Sequence, residues 1–196
     1  MNEYEKKLEY FVFSYLRKQS NPKILEFGVR QGTSTKKFIE ICERNNGNLY
    51  SVDIDDCSNI SNSKRWKFFR CRDDNFEYLD KQLTENFDLI YLDSFHNANH
   101  IEKIFYHYYP LIKVGGYFVI DDISWLPYVT DNYRNNFNCE INNRESFFKL
   151  LTISRTNNEN FDLSFSFTGS GLAKIIKLNQ NKLRSPKKVV SRALSL

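Results

Sequence analysis

Long apolar runs are missing from this chain. Every apolar stretch meets a charged residue within about a dozen positions, short of the roughly 20 needed to cross a bilayer, and no signal peptide precedes the first helix-like segment. A soluble, cytoplasmic protein is therefore expected. Glycine and proline are also scarce, seven and four among 196 residues, which excludes collagen-like and low-complexity architectures. Cysteine is confined to Cys42, Cys57, Cys71 and Cys139, without the paired spacing of a zinc site or the density of a disulfide scaffold. They read as reduced packing residues. What is abundant is aromatic: 17 Phe and 12 Tyr within 41% apolar content provide a real core and exclude a disordered chain. At about 150 residues per domain the length corresponds to one domain.

The formal charge of +4 suggests nucleic acid until its location is considered. The last 18 residues carry Lys182, Arg184, Lys187, Lys188 and Arg192 and no acid, which leaves a body of about −1. A basic binding face on the folded body is not expected, so nucleic acid is the less favoured partner. The chain divides into one domain over 1–178 and a basic, loosely ordered tail over 179–196. The sequence is compatible with a homo-oligomer and does not fix the oligomeric state.

Apolar residues at helical spacing predict an N-terminal helix over 2–19, stopped by Asn21-Pro22. Strands are predicted over 23–29, 48–54, 66–71, 87–93 and 116–121, with helices over 34–44, 76–83, 100–112 and 145–153. Alternation of this kind implies a doubly wound α/β fold with a mostly parallel sheet. Strands over 161–167 and 172–178, joined by Thr168-Gly169-Ser170-Gly171, predict an antiparallel hairpin at its end. Residues 123–143 form an Asn-rich connection longer than a simple loop requires, a candidate lid, and its Trp125, Tyr128 and Tyr133 could stack on a substrate ring or simply pack.

In such sheets ligands bind beyond the carboxyl ends of the strands, and those ends are acidic here. The first strand runs into Glu26-Phe27-Gly28-Val29-Arg30-Gln31-Gly32-Thr33-Ser34. Gly28 and Gly32 permit a sharp turn and close approach to a ligand, though a plain turn explains two glycines equally well. Neither the dinucleotide G-x-G-x-x-G nor the Gly-Lys-Ser/Thr of a phosphate loop is present, which favours a nucleoside-like ligand without pyrophosphate. Asp53 ends the second strand 25 residues after Gly28, where an acid can accept ribose hydroxyls. Asp74 follows the third, placed to meet an adenine amino group. Asp55 and Asp56 read as turn residues.

These motifs, continued by Phe87-Asp88-Leu89-Ile90-Tyr91-Leu92-Asp93-Ser94-Phe95-His96 and Gly115-Gly116-Tyr117-Phe118-Val119-Ile120-Asp121-Asp122, resemble the class I S-adenosylmethionine-dependent methyltransferases. Asp-x-x-His followed by a helix and Gly-Gly-x-x-x-x-Asp-Asp is similar to the small-molecule O-methyltransferases of the macrocin and sugar type. The resemblance covers roughly residues 22–178. It implies a Rossmann-like seven-stranded sheet and S-adenosylmethionine held by Glu26, Gly28, Gly32, Ser34, Asp53 and Asp74. It further implies Mg2+ on Asp93, Asp121 and Asp122, a reasonable site for a hard cation because carboxylates crowded on one rim repel one another without it. The plainer alternative has Asp122 capping the next segment and Asp121 supporting the cofactor loop. His96 takes the place of a general base, and His100 and His107 read as structural. The implied acceptor is a hydroxylated small molecule such as a sugar or glycosylated metabolite. Methylation of RNA or protein, and a non-catalytic binding or scaffold protein of the same fold, stand as the rivals.

Overall fold

The computed structural model describes residues 3–125 and 137–186. Strands Lys23–Phe27 (β1), Asn48–Asp53 (β2), Trp66–Arg70 (β3), Phe87–Leu92 (β4) and Ile112–Asp121 (β5) run parallel. With Phe161–Ser166 (β6) and Leu172–Lys177 (β7) they form a seven-stranded sheet in the order β3-β2-β1-β4-β5-β7-β6, in which β7 lies antiparallel to both neighbours. This is the doubly wound, Rossmann-like arrangement that the alternation of elements implies. The order reverses between β1 and β4, so the crevice of such a sheet opens beyond the carboxyl ends of those two strands.

Side chains alternate across the sheet and sort the core into two layers. Leu25, Phe27, Ile90, Leu92, Phe118 and Ile120 face helices Phe76–Gln82 (α4), Ala98–Tyr108 (α5) and Phe137–Asn157 (α6). Ile24, Leu49, Leu89, Tyr91 and Val119 face Thr33–Asn45 (α3) and the N-terminal helical segment. β4 lies at the centre and is buried along its whole length, which is why Phe-Asp-Leu-Ile-Tyr-Leu is nearly continuous in apolar residues. Its one acid, Asp88, accepts from the Lys23 N–H at 2.8 Å and from Lys113 Nζ at 2.8 Å.

Several boundaries depart from the sequence reading. The N-terminal helix is Glu3–Leu8 (α1), a π-helical stretch Glu9–Phe13 and Ser14–Leu16 (α2), because the Ser14 N–H reaches back to Glu9 O while its hydroxyl donates to Tyr10 O. α5 starts at Ala98, two residues earlier than predicted, with the Asn97 side chain accepting the Asn99 and His100 N–H groups. β5 begins at Ile112, and its register to β4 shifts between Phe87 and Leu89. α6 is more than twice as long as predicted, so the end of the candidate lid from Phe137 is helical. Tyr128 and Tyr133 lie outside the described residues. The beginning of the tail is docked: Leu183 packs on the core, Arg184 O accepts from Tyr106 Oη at 2.7 Å, and the Arg184 N–H donates to Asn157 Oδ1 at 2.7 Å. No helix among the described residues is long and apolar enough to cross a membrane.

Candidate functional site

Two cavities of about 450 and 430 Å3 open beyond the strand ends and share Gly28, Arg30, Asp93 and Ser94. Their common wall is the point where β1 and β4 stop. Gly28 has φ +94°, and a Cβ there would lie 2.0 Å from the Asp93 carbonyl oxygen, so this turn admits only glycine. The close approach it permits is to the protein's own backbone. Gly32 has φ +74°, a Cβ there would meet the Ile60 side chain, and it lines neither cavity.

The second cavity is flanked by Asp53 and Asp73 and walled by Phe95, which is 62% exposed. Asp53 Oδ2 accepts the N–H groups of Val29 at 2.7 Å and Arg30 at 3.0 Å, and Oδ1 accepts that of Asp55. Burial pushes this carboxyl up, but the backbone N–H groups outweigh it and hold it below the usual range. Asp53 thus fixes the β1–α3 loop and remains an anion at the cavity. Asp74, the predicted adenine partner, points elsewhere: Arg72 and Lys103 bind it, and those contacts hold its carboxyl far below the usual range. Its neighbour Asp73 faces the cavity instead, accepting from Ser94 Oγ at 2.5 Å and paired with His100 Nε2 at 2.9 Å. The sequence offered two adjacent acids, and only the turn after β3 decides which one points inward.

Glu26 is fully buried and lines neither cavity. Its carboxyl accepts from the hydroxyls of Ser34 at 2.6 Å, Thr35 at 2.9 Å and Ser51 at 2.7 Å, which joins the start of α3 to β1 and β2. Burial, only partly opposed by those hydroxyls, raises it to about 7. Ser34 itself reaches the first cavity.

In that first cavity Asp93, His96 and Asp122 stand together. His96 Nε2 is 3.5 Å from Asp93 Oδ1 and 3.5 Å from Asp122 Oδ2, and donor atoms of the three all lie within 4.8 Å of one another. Asp122 holds φ +56°, which turns its carboxylate toward the cavity after β5 ends. Asp121 is not in this group. It is 1% exposed and bound by Lys7 Nζ and by Tyr91 Oη. Burial and the charges of Asp121 and Asp122 raise Asp93 well above the usual carboxylate range. Two carboxylates converging on one point beside an imidazole suit a divalent cation, whose charge offsets their mutual repulsion.

Sequence reading missed the contribution of the N-terminal helix. Tyr4 lines the first cavity, its hydroxyl 3.1 Å from Tyr91 Oη and 3.5 Å from Asp93 Oδ2. Lys7, one turn later, is buried. Lys7 stands in a Lys6-Lys7 pair directly before Leu8, and a lysine in such a pair reads by default as solvent-facing. Trp125 packs on Phe147 with ring centroids 4.4 Å apart and stacks on Phe148. His107 pairs with Asp80 and stacks on Phe76. Cys42, Cys57 and Cys71 are free thiols.

Residues 25–123 match the family described as a methyltransferase domain. No curated protein matches the chain. Among solved structures it resembles MycE methyltransferase from the mycinamycin biosynthetic pathway, in complex with Mg and SAH, at 20% identity and TM-score 0.67. That match covers 94% of this chain and 52% of MycE, so the chain spans about half the length of that relative. It is also similar to a Staphylococcus aureus protein provisionally described as a caffeoyl-CoA O-methyltransferase (17% identity, 88% and 83% of the two chains, TM-score 0.68). The SAH-bound Podospora anserina methyltransferase PaMTH1 is a third (14% identity, 90% and 86%, TM-score 0.63). With the family match spanning half its length and its fold shared with these structures, the chain belongs to the methyltransferase domain family and carries the class I S-adenosylmethionine-dependent fold.

Proposed function

We propose that the chain is an S-adenosylmethionine-dependent O-methyltransferase for a hydroxylated small molecule such as a sugar or glycosylated metabolite, assisted by a divalent cation, Mg2+ by analogy with MycE. The observation that carries this reading is the shared wall at Gly28, Asp93 and Ser94. It joins a cavity suited to an adenosyl group to one that holds an imidazole between two carboxylates. MycE is described with mycinamycin VI bound beside Mg and SAH, which favours a small acceptor.

When bound, the cofactor supplies an electrophilic methyl group and the cation lowers the pKa of an acceptor hydroxyl. Asp53 would accept the ribose hydroxyls and Asp73 the adenine amino group, with Phe95 against the base. The remainder would cross the wall shared at Gly28 into the first cavity, where Ser34 and Tyr4 border it. Asp93 and Asp122 would hold the cation. His96 Nε2 would take the hydroxyl proton as the new carbon–oxygen bond forms and the carbon–sulfur bond breaks. Alignment of acceptor oxygen, methyl and sulfur supplies much of the rate.

Calorimetric titration with SAH tests the reading before any acceptor is known. Binding in the micromolar range is expected, and no heat at millimolar ligand would refute it.

A further inference from the structure

The most deeply buried charged pair among the described residues lies directly behind the rim. Lys7 and Asp121 have side chains 0% and 1% exposed. The ammonium has three protons and three acceptors: Asp121 Oδ1, Ser170 Oγ at 2.6 Å and Gly171 O at 3.2 Å. Asp121 in turn accepts from Tyr91 Oη and from the Asp122 N–H at 2.7 Å. Its carboxylate is therefore occupied, while the adjacent Asp122 faces the cavity with Asp93 and His96.

We propose that Lys7 is a positioning residue for the cation: its ammonium removes Asp121 from the ligand set and sets the charge that the rim presents, leaving Asp93 and Asp122 as the carboxylates that hold a divalent ion. The inference rests on the cation reading given above and adds a residue to it. Three carboxylates would hold a divalent ion tightly and would be badly destabilised when it left. With the built-in ammonium, the rim carries one negative charge fewer and exchanges its ion more readily. Because Lys7 sits on α1 and is held by the β6–β7 turn, this charge balance exists only when the N-terminal segment is docked on the sheet.

Mn2+ is a suitable probe, since its free concentration is read directly by electron paramagnetic resonance. Lys7→Met removes the ammonium and frees Asp121; it is expected to bind Mn2+ about tenfold tighter than wild type, or more, and to gain more thermal stability on Mn2+ addition. The double variant Lys7→Met/Asp121→Asn removes both charges and leaves no buried ion unpaired, so it tests the idea even where the single variant does not fold. Its Mn2+ affinity is expected to lie within about threefold of wild type. A loss of about tenfold or more in the double variant would make Asp121 a direct ligand and overturn the proposal, as would a folded Lys7→Met that binds Mn2+ no tighter. Wild type that binds SAH but no Mn2+ overturns this proposal together with the cation reading and leaves the methyltransferase reading standing, whereas wild type that binds neither removes that reading as well.

Discussion

Glu26→Gln should remove a specific part of the pH dependence of folding. Glu26 has no exposed surface and its only compensation is three hydroxyl hydrogen bonds, so burial prevails and the folded-state value is about 7 against 4.5 for a free side chain. An acid whose value is raised on folding binds its proton more tightly in the native state. Stability from this group is complete below pH 4.5, declines as the unfolded chain ionises, and is lost once pH passes about 7. The interval of about 2.5 pH units corresponds to ~3 kcal/mol at 1.36 kcal/mol per unit. Glutamine stays neutral, and its amide can donate to the Ser and Thr oxygens, so its own cost is small and independent of pH. Urea unfolding of both proteins at intervals from pH 4.5 to 8.5 isolates the effect, because other titrating groups cancel in the difference. Wild type should lose about 3 kcal/mol relative to the variant across the range. A difference constant within about 0.5 kcal/mol would refute the reasoning, because a carboxyl that titrates alike in both states contributes no slope.

Gly28→Ala places a Cβ 2.0 Å from the Asp93 carbonyl at φ +94° and should cost about 2 kcal/mol or more in thermal unfolding. A cost below about 0.5 kcal/mol would mean that the ends of β1 and β4 can separate freely. Asp73→Asn should weaken SAH binding about tenfold, while Asp74→Asn leaves it within about twofold, since Asp74 is engaged in exposed pairs with Arg72 and Lys103. The reverse order would restore Asp74 as the adenine partner. Once an acceptor is found, His96→Gln should lower kcat by about 10²–10⁴ with the SAH affinity unchanged. A matching loss of SAH affinity would assign His96 to cofactor binding.

What the sequence determined by itself was the order of elements, the parallel sheet with its terminal hairpin, and the strand ends where acids collect. These follow from short-range periodicity: β4 reads as a buried strand because it is apolar throughout, and Gly28 marks a turn because glycine tolerates its backbone. Direction at those ends was not legible. Asp73 and Asp74 are neighbours, as are Asp121 and Asp122, and in each pair one carboxylate faces a cavity while the other is taken up by a cation. A change of one residue reverses where a side chain points, and the turn that sets it depends on contacts with distant segments. Glu26 lies in the motif and yet serves as an anchor, because Ser34, Thr35 and Ser51 close over it only when α3 and β2 meet β1. Lys7 lies 114 positions from Asp121, a separation across which periodicity carries no information. Their meeting inside the protein, and with it the charge of the rim, was decided by tertiary packing, because only burial makes the pairing of two such charges obligatory.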